Sequence, residues 1–255
     1  MQNVFSMVNP RLASFRDTNY LHINRARLEH LASLGLPLAG RRILELGSGP
    51  GDLTGFLLER NCHVVSVDGR AECLEVLQLR FSQVETLQLD LNSPEALSSL
   101  GLFDAVHCYG LLYHIEQPAR LIDVMGKICN DFAVIETCLA TGSHDGLLFV
   151  EETGDYTQSL TLKGCRPTRS WMFHALRQAF PFVYLTVTQP DHPEFPIDWD
   201  VPLDHLKNIR SVFVASRQEI HSPMLSPQLI DHQKDFRSKR TAAEGPPRFV
   251  QSQWL

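Results

Sequence analysis

Between Ile43 and Asp52 the chain reads ILELGSGPGD, a short apolar run that ends in glycines spaced GxGxG. The run has the character of a buried strand, and GDLTGFLLER behind it carries Leu53, Phe56 and Leu57 at helical spacing. Strand, tight turn and helix in that order leave few folds open. The pattern returns in CHVVSVD followed by RAECLEVLQLRF, in VETLQLDL, in FDAVHCYG followed by Pro118 to Ile128, and in FAVIETC. Strands alternating with helices make a doubly wound α/β sheet, largely parallel and covered on both faces. An N-terminal helix is expected over about Asn19 to Leu34, stopped by Gly35 and Pro37.

After Cys138 the rhythm changes. Residues Ala140 to Pro167 hold Gly142, Gly146, Gly154 and Gly164 with the acids Glu151 and Glu152, and read as an insertion with at most short strands. A helix capped by Thr168 runs to about Ala179, and FVYLTV and RSVFVAS are two further strands. Beyond Arg217 the chain is polar and aperiodic, which predicts a loosely attached tail over 218–255 behind a single domain over 1–217. With 255 residues, 44% hydrophobic and 20% charged, one large core is affordable.

Glycines at a strand-to-helix turn let backbone approach a ligand closely. A GxGxxG spacing would point to a dinucleotide pyrophosphate. Here the spacing is GxGxG, Glu45 precedes it and Asp52 follows it, a setting that suits an ammonium-bearing ligand. Asp68 closes the next strand, where a carboxylate can accept from both ribose hydroxyls. Asp90 closes the third, positioned for an exocyclic adenine amine. Each acid alone is ordinary; three in order at successive strand ends are not.

Together ELGSGPGD, VVSVD, LQLDLN and CYGLLYHIEQPARLI resemble the cofactor motifs of class I S-adenosylmethionine-dependent methyltransferases, over Arg41 to Cys138. The resemblance implies a Rossmann-like seven-stranded sheet whose one antiparallel strand is RSVFVAS, with the cofactor across the carboxyl ends of the strands. It assigns Gly47, Ser48, Gly49 and Gly51 to the methionine part, Asp68 and Gly69 to the ribose, and Asp90 with Leu91 to the adenine. Glu45 and Tyr109 join that set, and Tyr20 or Asn24 would meet the cofactor carboxylate.

Methyl transfer to a hydroxyl needs a base, and YGLLYHIEQP brings Tyr109, Tyr113 and His114 near the expected methyl position, with His114 the candidate base. Downstream, Arg169, Trp171 and His174 on one helix, and His192, Asp198 and Asp200 in a proline-marked loop, are candidates for an acceptor pocket; no metal is assigned. A net charge of -6 disfavours nucleic acid as partner. The six cysteines are scattered without metal-ligand spacing and read as reduced core residues. No signal-peptide pattern or membrane-length apolar run occurs, so a cytoplasmic location is expected.

The preferred acceptor is a small molecule methylated on oxygen, as in saccharide or secondary-metabolite tailoring. A nucleic-acid methyltransferase, a non-catalytic cofactor-binding subunit and an NAD-dependent oxidoreductase are the alternatives, the last disfavoured by the glycine spacing, Glu45 and Asp90.

Overall fold

A computed structural model describes residues 2–142 and 144–236. The chain opens with α1 (Gln2–Val8), a 3-10 segment (Pro10–Arg16) and α2 (Thr18–Ser33), whose first turn is capped by Asp17 accepting from the Asn19 amide. The alternating part follows as β1 (Arg42–Leu46), α3 (Thr54–Leu58), β2 (His63–Asp68), α4 (Ala71–Arg80), β3 (Glu85–Gln88), β4 (Phe103–Tyr109), α5 (Pro118–Ile128) and β5 (Cys129–Leu139). The inserted hairpin β6 (Leu147–Glu151) and β7 (Lys163–Pro167) precedes α6 (Arg169–Ala179). Then come β8 (Phe182–Thr186), β9 (Thr188–Gln189), β10 (Ile209–Ser216), β11 (Leu225–Ser226) and β12 (Lys234–Asp235).

The main sheet has the order β11-β8-β10-β5-β4-β1-β2-β3. Strands β3, β2, β1, β4 and β5 are parallel, and β10 (RSVFVAS with Ile209) runs antiparallel to both neighbours. The seven expected strands are therefore all present. The two-residue β11 adds an eighth at the edge of β8, too short to leave a sequence signal. Continuous apolar strands arise because successive side chains serve opposite layers. Leu44 and Val65 face the layer holding α5 and α6, while Ile43 and Val64 face the one holding Ile23 and Leu31 of α2.

Chain ends depart most from the sequence reading. Helix α1 and the 3-10 segment form a third cluster, with Phe5, Leu12 and Phe15 packed on Cys73 and Val76 of α4. The expected loose tail is corrected over 218–236. Leu225 is buried, Ile220 and Met224 pack on the α2 layer, and Leu229 and Ile230 pack on the other. Buried Gln233 donates to the Thr186 carbonyl at 2.6 Å and accepts from the Trp199 indole at 2.8 Å. These contacts are long-range and aperiodic, so no local pattern announces them. Residues 237–255 of that expected tail lie outside the described residues. All six cysteines are buried and free, and no helix among the described residues is long and apolar enough to cross a membrane.

Truncation after Arg217 should destabilise the protein by about 2 kcal/mol or more, the scale of one buried leucine plus a buried hydrogen-bonded amide. A thermal melt coincident with that of the full chain would contradict this packing.

Candidate cofactor cleft and its neighbouring polar clusters

The turn after β1 needs glycine for two separate reasons. Gly47, Gly49 and Gly51 all have positive φ, at 68°, 52° and 85°. A Cβ on Gly47 would also lie 2.9 Å from the Leu111 side chain, and one on Gly49 3.2 Å from the Phe15 ring. The Gly47 and Ser48 amides donate to the Val67 carbonyl at 2.8 and 3.2 Å, which locks the turn to the end of β2. Asp68 completes the lock. Its carboxylate accepts from the Gly49 amide at 2.8 Å and from the Arg70 amide at 2.9 Å. Burial nevertheless leaves the Asp68 pKa raised, although these donors pull it down.

A cavity opens at the carboxyl ends of β1, β2 and β4. Of the sequence candidates, Tyr20, Gly47, Gly49, Asp68, Gly69, Asp90, Leu91 and His114 line it. Four do not. Glu45 is 1% exposed and lies within the sheet, where its Oε2 accepts from Thr54 Oγ1 at 2.6 Å and Ser66 Oγ at 2.7 Å. Ser48 is buried in the turn, and Gly51 faces Leu77 and Phe81 of the core. Tyr109 is buried beside the His107 ring, 4.6 Å between centroids. Asp52 is likewise corrected: its carboxylate pairs with Arg16 and, at 2.7 Å, with Arg80. Both acids flanking the glycines thus find partners inside the protein through one carboxylate oxygen each, and neither lines the cavity.

Lining residues that sequence reasoning missed are Phe15, Arg70, Asn92, Leu111 and Tyr156 to Leu160. Asn92 had a signal, since it follows Asp90 and Leu91 in LQLDLN. Arg70 and Leu111 had one too, the first beside Gly69 and the second inside CYGLLYHIEQPARLI, whereas Phe15 and Tyr156 to Leu160 belong to segments brought in from a distance. Residues 152–162 join β6 to β7 and lie over the cleft, so the insertion covers it. Arg70 donates to the Gln158 carbonyl at 2.9 Å, the Tyr156 hydroxyl donates to Glu72 at 2.9 Å, and Arg11 donates to the Gly154 carbonyl at 2.5 Å.

His114 sits in a 3-10 turn after β4, on the cavity wall. Its Nδ1 lies 2.5 Å from Glu152 Oε2, and Nε2 has no hydrogen bond among the described residues. Burial lowers the His114 pKa below its ordinary value, with Glu152 opposing. Burial raises that of Glu152, but His114, the Ser159 amide and Arg166 outweigh it and hold it low. The pair is therefore a neutral imidazole donating from Nδ1 to a carboxylate at neutral pH.

A second polar cluster lies at the ends of β5 and β10. Fully buried Glu136 binds Arg27 of α2 at 2.5 Å and Arg210 of β10 at 3.1 Å. Arg210 also pairs with Glu194 at 2.6 Å and donates to the Tyr113 hydroxyl at 3.4 Å. Asn24 is buried here, its Oδ1 accepting from Arg27 at 2.8 Å, so of the two α2 candidates only Tyr20 reaches the cavity.

The downstream candidates disperse. Trp171 packs on the core, and exposed His174 bonds Asp145 at 2.7 Å. Arg169 stacks on Trp199 at 4.0 Å. His192 lies against His22, 5.0 Å between ring centroids, and is not part of the cluster that Asp198 and Asp200 form. Those two acids meet His232 instead, at 3.2 and 3.3 Å.

A glycine turn, a strand-end carboxylate and an antiparallel strand beside a parallel sheet define a Rossmann-like protein that holds a nucleoside-bearing cofactor. A family model described as a methyltransferase domain matches residues 19–195. The chain belongs to this methyltransferase-domain family, of the class I S-adenosylmethionine-dependent type. The ubiquinone biosynthesis O-methyltransferase of Albidiferax ferrireducens is 35% identical over 104 residues, 39% of this chain and 41% of that protein. That of Xylella fastidiosa is 30% identical over 117 residues, 42% of this chain and 44% of that one. The chain thus spans less than half the length of these relatives. In structure it is similar to the N-terminal domain of EvdMO1 with SAH bound, at TM-score 0.56 and 23% identity over 77% of this chain and 81% of that one. An O-methyltransferase family protein from Burkholderia thailandensis matches at TM-score 0.57 and 11% identity, over 85% and 62%. At these identities the structural likeness is one of fold.

The corrected role of Glu45 has a pH signature. Burial pushes its pKa up to about 7 from 4.5. The folded state therefore prefers the protonated acid, a contribution complete below pH 4.5 and lost as pH rises through about 7. Glu45→Gln does not titrate, so its stability minus that of the parent should rise by on the order of 2 kcal/mol between pH 4.5 and 7.5. Urea unfolding at several pH values checks this; a pH-independent difference would count against it.

Proposed function

We propose that this protein transfers the methyl group of S-adenosylmethionine to a hydroxyl oxygen of a small molecule, with His114 as general base. The observation that carries the reading is the His114 ring on the cavity wall, its Nδ1 held by Glu152 and its Nε2 without a hydrogen bond among the described residues. The residues of the cleft fit the cofactor. At Gly47 and Gly49 the turn brings backbone without a side chain to the cavity wall. Asp68 has acceptor capacity for a ribose diol, and Asp90, Leu91 and Tyr20, which line the same cavity, would meet the adenine and the methionine part.

When bound, the cofactor supplies an electrophilic methyl carbon on a sulfonium leaving group. The protein's own part is positioning, exclusion of water and proton removal. A neutral His114 whose Nδ1 proton is bonded to Glu152 keeps the Nε2 lone pair free to take the acceptor's proton as its oxygen becomes nucleophilic. Leu111, Ile115 and Leu160 shield that end of the cavity.

An oxygen acceptor is supported by the ubiquinone O-methyltransferase relatives, and the net charge of -6 weighs against nucleic acid. Hydroxylated aromatics and saccharides are the acceptor classes this reading favours. It carries with it a cytoplasmic location and a substrate-side role for the insertion at about 140–167.

Calorimetric titration with S-adenosylhomocysteine, with NAD as control, tests the cofactor assignment. Binding of the first alone is expected, weakened by about 1–3 kcal/mol in Asp68→Ala through lost hydrogen bonds to a charged group. No binding by the folded parent would overturn it. In a screen of hydroxylated acceptors, His114→Ala should cut kcat by on the order of 10²–10⁴-fold; a kcat within twofold of the parent's would remove His114 as the base.

A further inference from the structure

The base of the proposed reaction is held by a residue from the segment that covers the cofactor cleft. We infer that Glu152 is the positioning residue of His114, and that the closed insertion brings the two together. The inference rests on the reading of His114 as base.

Glu152 directly follows β6, and its side chain is 2% exposed although the surrounding hairpin is largely open to solvent. Every edge of its carboxylate is used. Oε2 meets His114 Nδ1 at 2.5 Å and accepts from the Ser159 amide at 2.8 Å, while Oε1 meets Arg166 Nη1 at 3.4 Å. The Glu152 amide donates to the Leu162 carbonyl at 2.8 Å, which closes the 152–162 connection on itself. Strand β7 presses on this arrangement from behind. A Cβ on Gly164 would stand 2.6 Å from Glu152 Oε1 and 2.5 Å from the Tyr113 carbonyl oxygen, so only glycine fits at that position. The carboxylate is therefore a junction between the insertion and the His114 turn.

The other end of the connection is fixed to the cofactor cleft. Arg70 Nη2 donates to the carbonyls of Gln158 and Ser159 at 2.9 and 3.4 Å. The Arg70 amide donates to Asp68, the same carboxylate that receives the Gly49 amide. An unbroken set of contacts runs from the glycine turn through Asp68, Arg70 and Ser159 to Glu152 and His114. Opening the connection would break the Arg70 and Glu152 contacts together. His114 would lose the acceptor that fixes its tautomer, and the ring would keep Tyr113 against it and the charges of Arg166 and Arg210 nearby. Closure of the cover would then fix the tautomer and shield the ring from bulk water in the same movement.

The test uses the full chain labelled with ¹⁵N at histidine, the His114 ring being assigned by its loss in His114→Gln. In the parent at neutral pH the ring should be the Nδ1–H tautomer; an Nε2–H tautomer in the parent would overturn the inference without any Glu152 variant. Glu152→Gln, checked for folding by urea midpoint, should mix the tautomers and shift the His114 titration to lower pH, because the Glu152 charge supports the protonated ring. An unchanged tautomer and titration in the folded variant would also overturn it. These readouts need no cofactor. Failure of the parent to bind S-adenosylhomocysteine would therefore strike the proposed function and leave the Glu152 inference standing on its own measurement.

Discussion

Asp68 bonds two backbone amides at once, and the cleft takes its form from that. With the Gly49 amide on one oxygen and the Arg70 amide on the other, the carboxylate joins the turn after β1 to the entrance of α4. The positive φ values of the turn are costly for any residue but glycine, and the Asp68 and Val67 contacts define that conformation against the alternatives open to so flexible a sequence. Because Arg70 is placed by the same contact, its guanidinium reaches the connection of the inserted hairpin. Cofactor cleft and cover thus share one anchor.

Much of this was legible from sequence because it is local. The strand, glycine turn and helix are contiguous, and Asp68 and Asp90 are marked by their place at the ends of apolar runs. The same logic failed for Glu45 and Asp52, which adjoin the glycines as closely as any ligand-binding acid. What decides their role is the approach of Thr54 and Ser66 hydroxyls to one and of Arg16 and Arg80 to the other. Nothing in the local pattern of ILELGSGPGD records those partners. Tyr109 is similar: strand alternation turns it away from the cavity, toward His107 and the α2 layer.

Residues that act across long separations were the least visible. Glu152 is one of two adjacent acids in a glycine-rich segment, and only the fold reveals that it meets a histidine 38 positions earlier. The segment after Arg217 is polar enough to look unattached, yet it carries Leu225 and Gln233, each satisfied by an element far upstream. Periodicity detects a face presented to a core. It does not detect single side chains that enter one.

Glu136 imposes a condition on how the chain can reach this state. Its carboxylate is fully buried and divided between Arg27, 109 residues before it, and Arg210, 74 residues after it. A buried carboxylate with one partner missing carries a large desolvation penalty, and so does a buried arginine. A partly assembled sheet lacking either the first long helix or β10 would leave one of these charges stranded. Glu136 is therefore settled in its buried place only when α2 and β10 have both docked, which ties the two ends of the domain to the middle of its sheet.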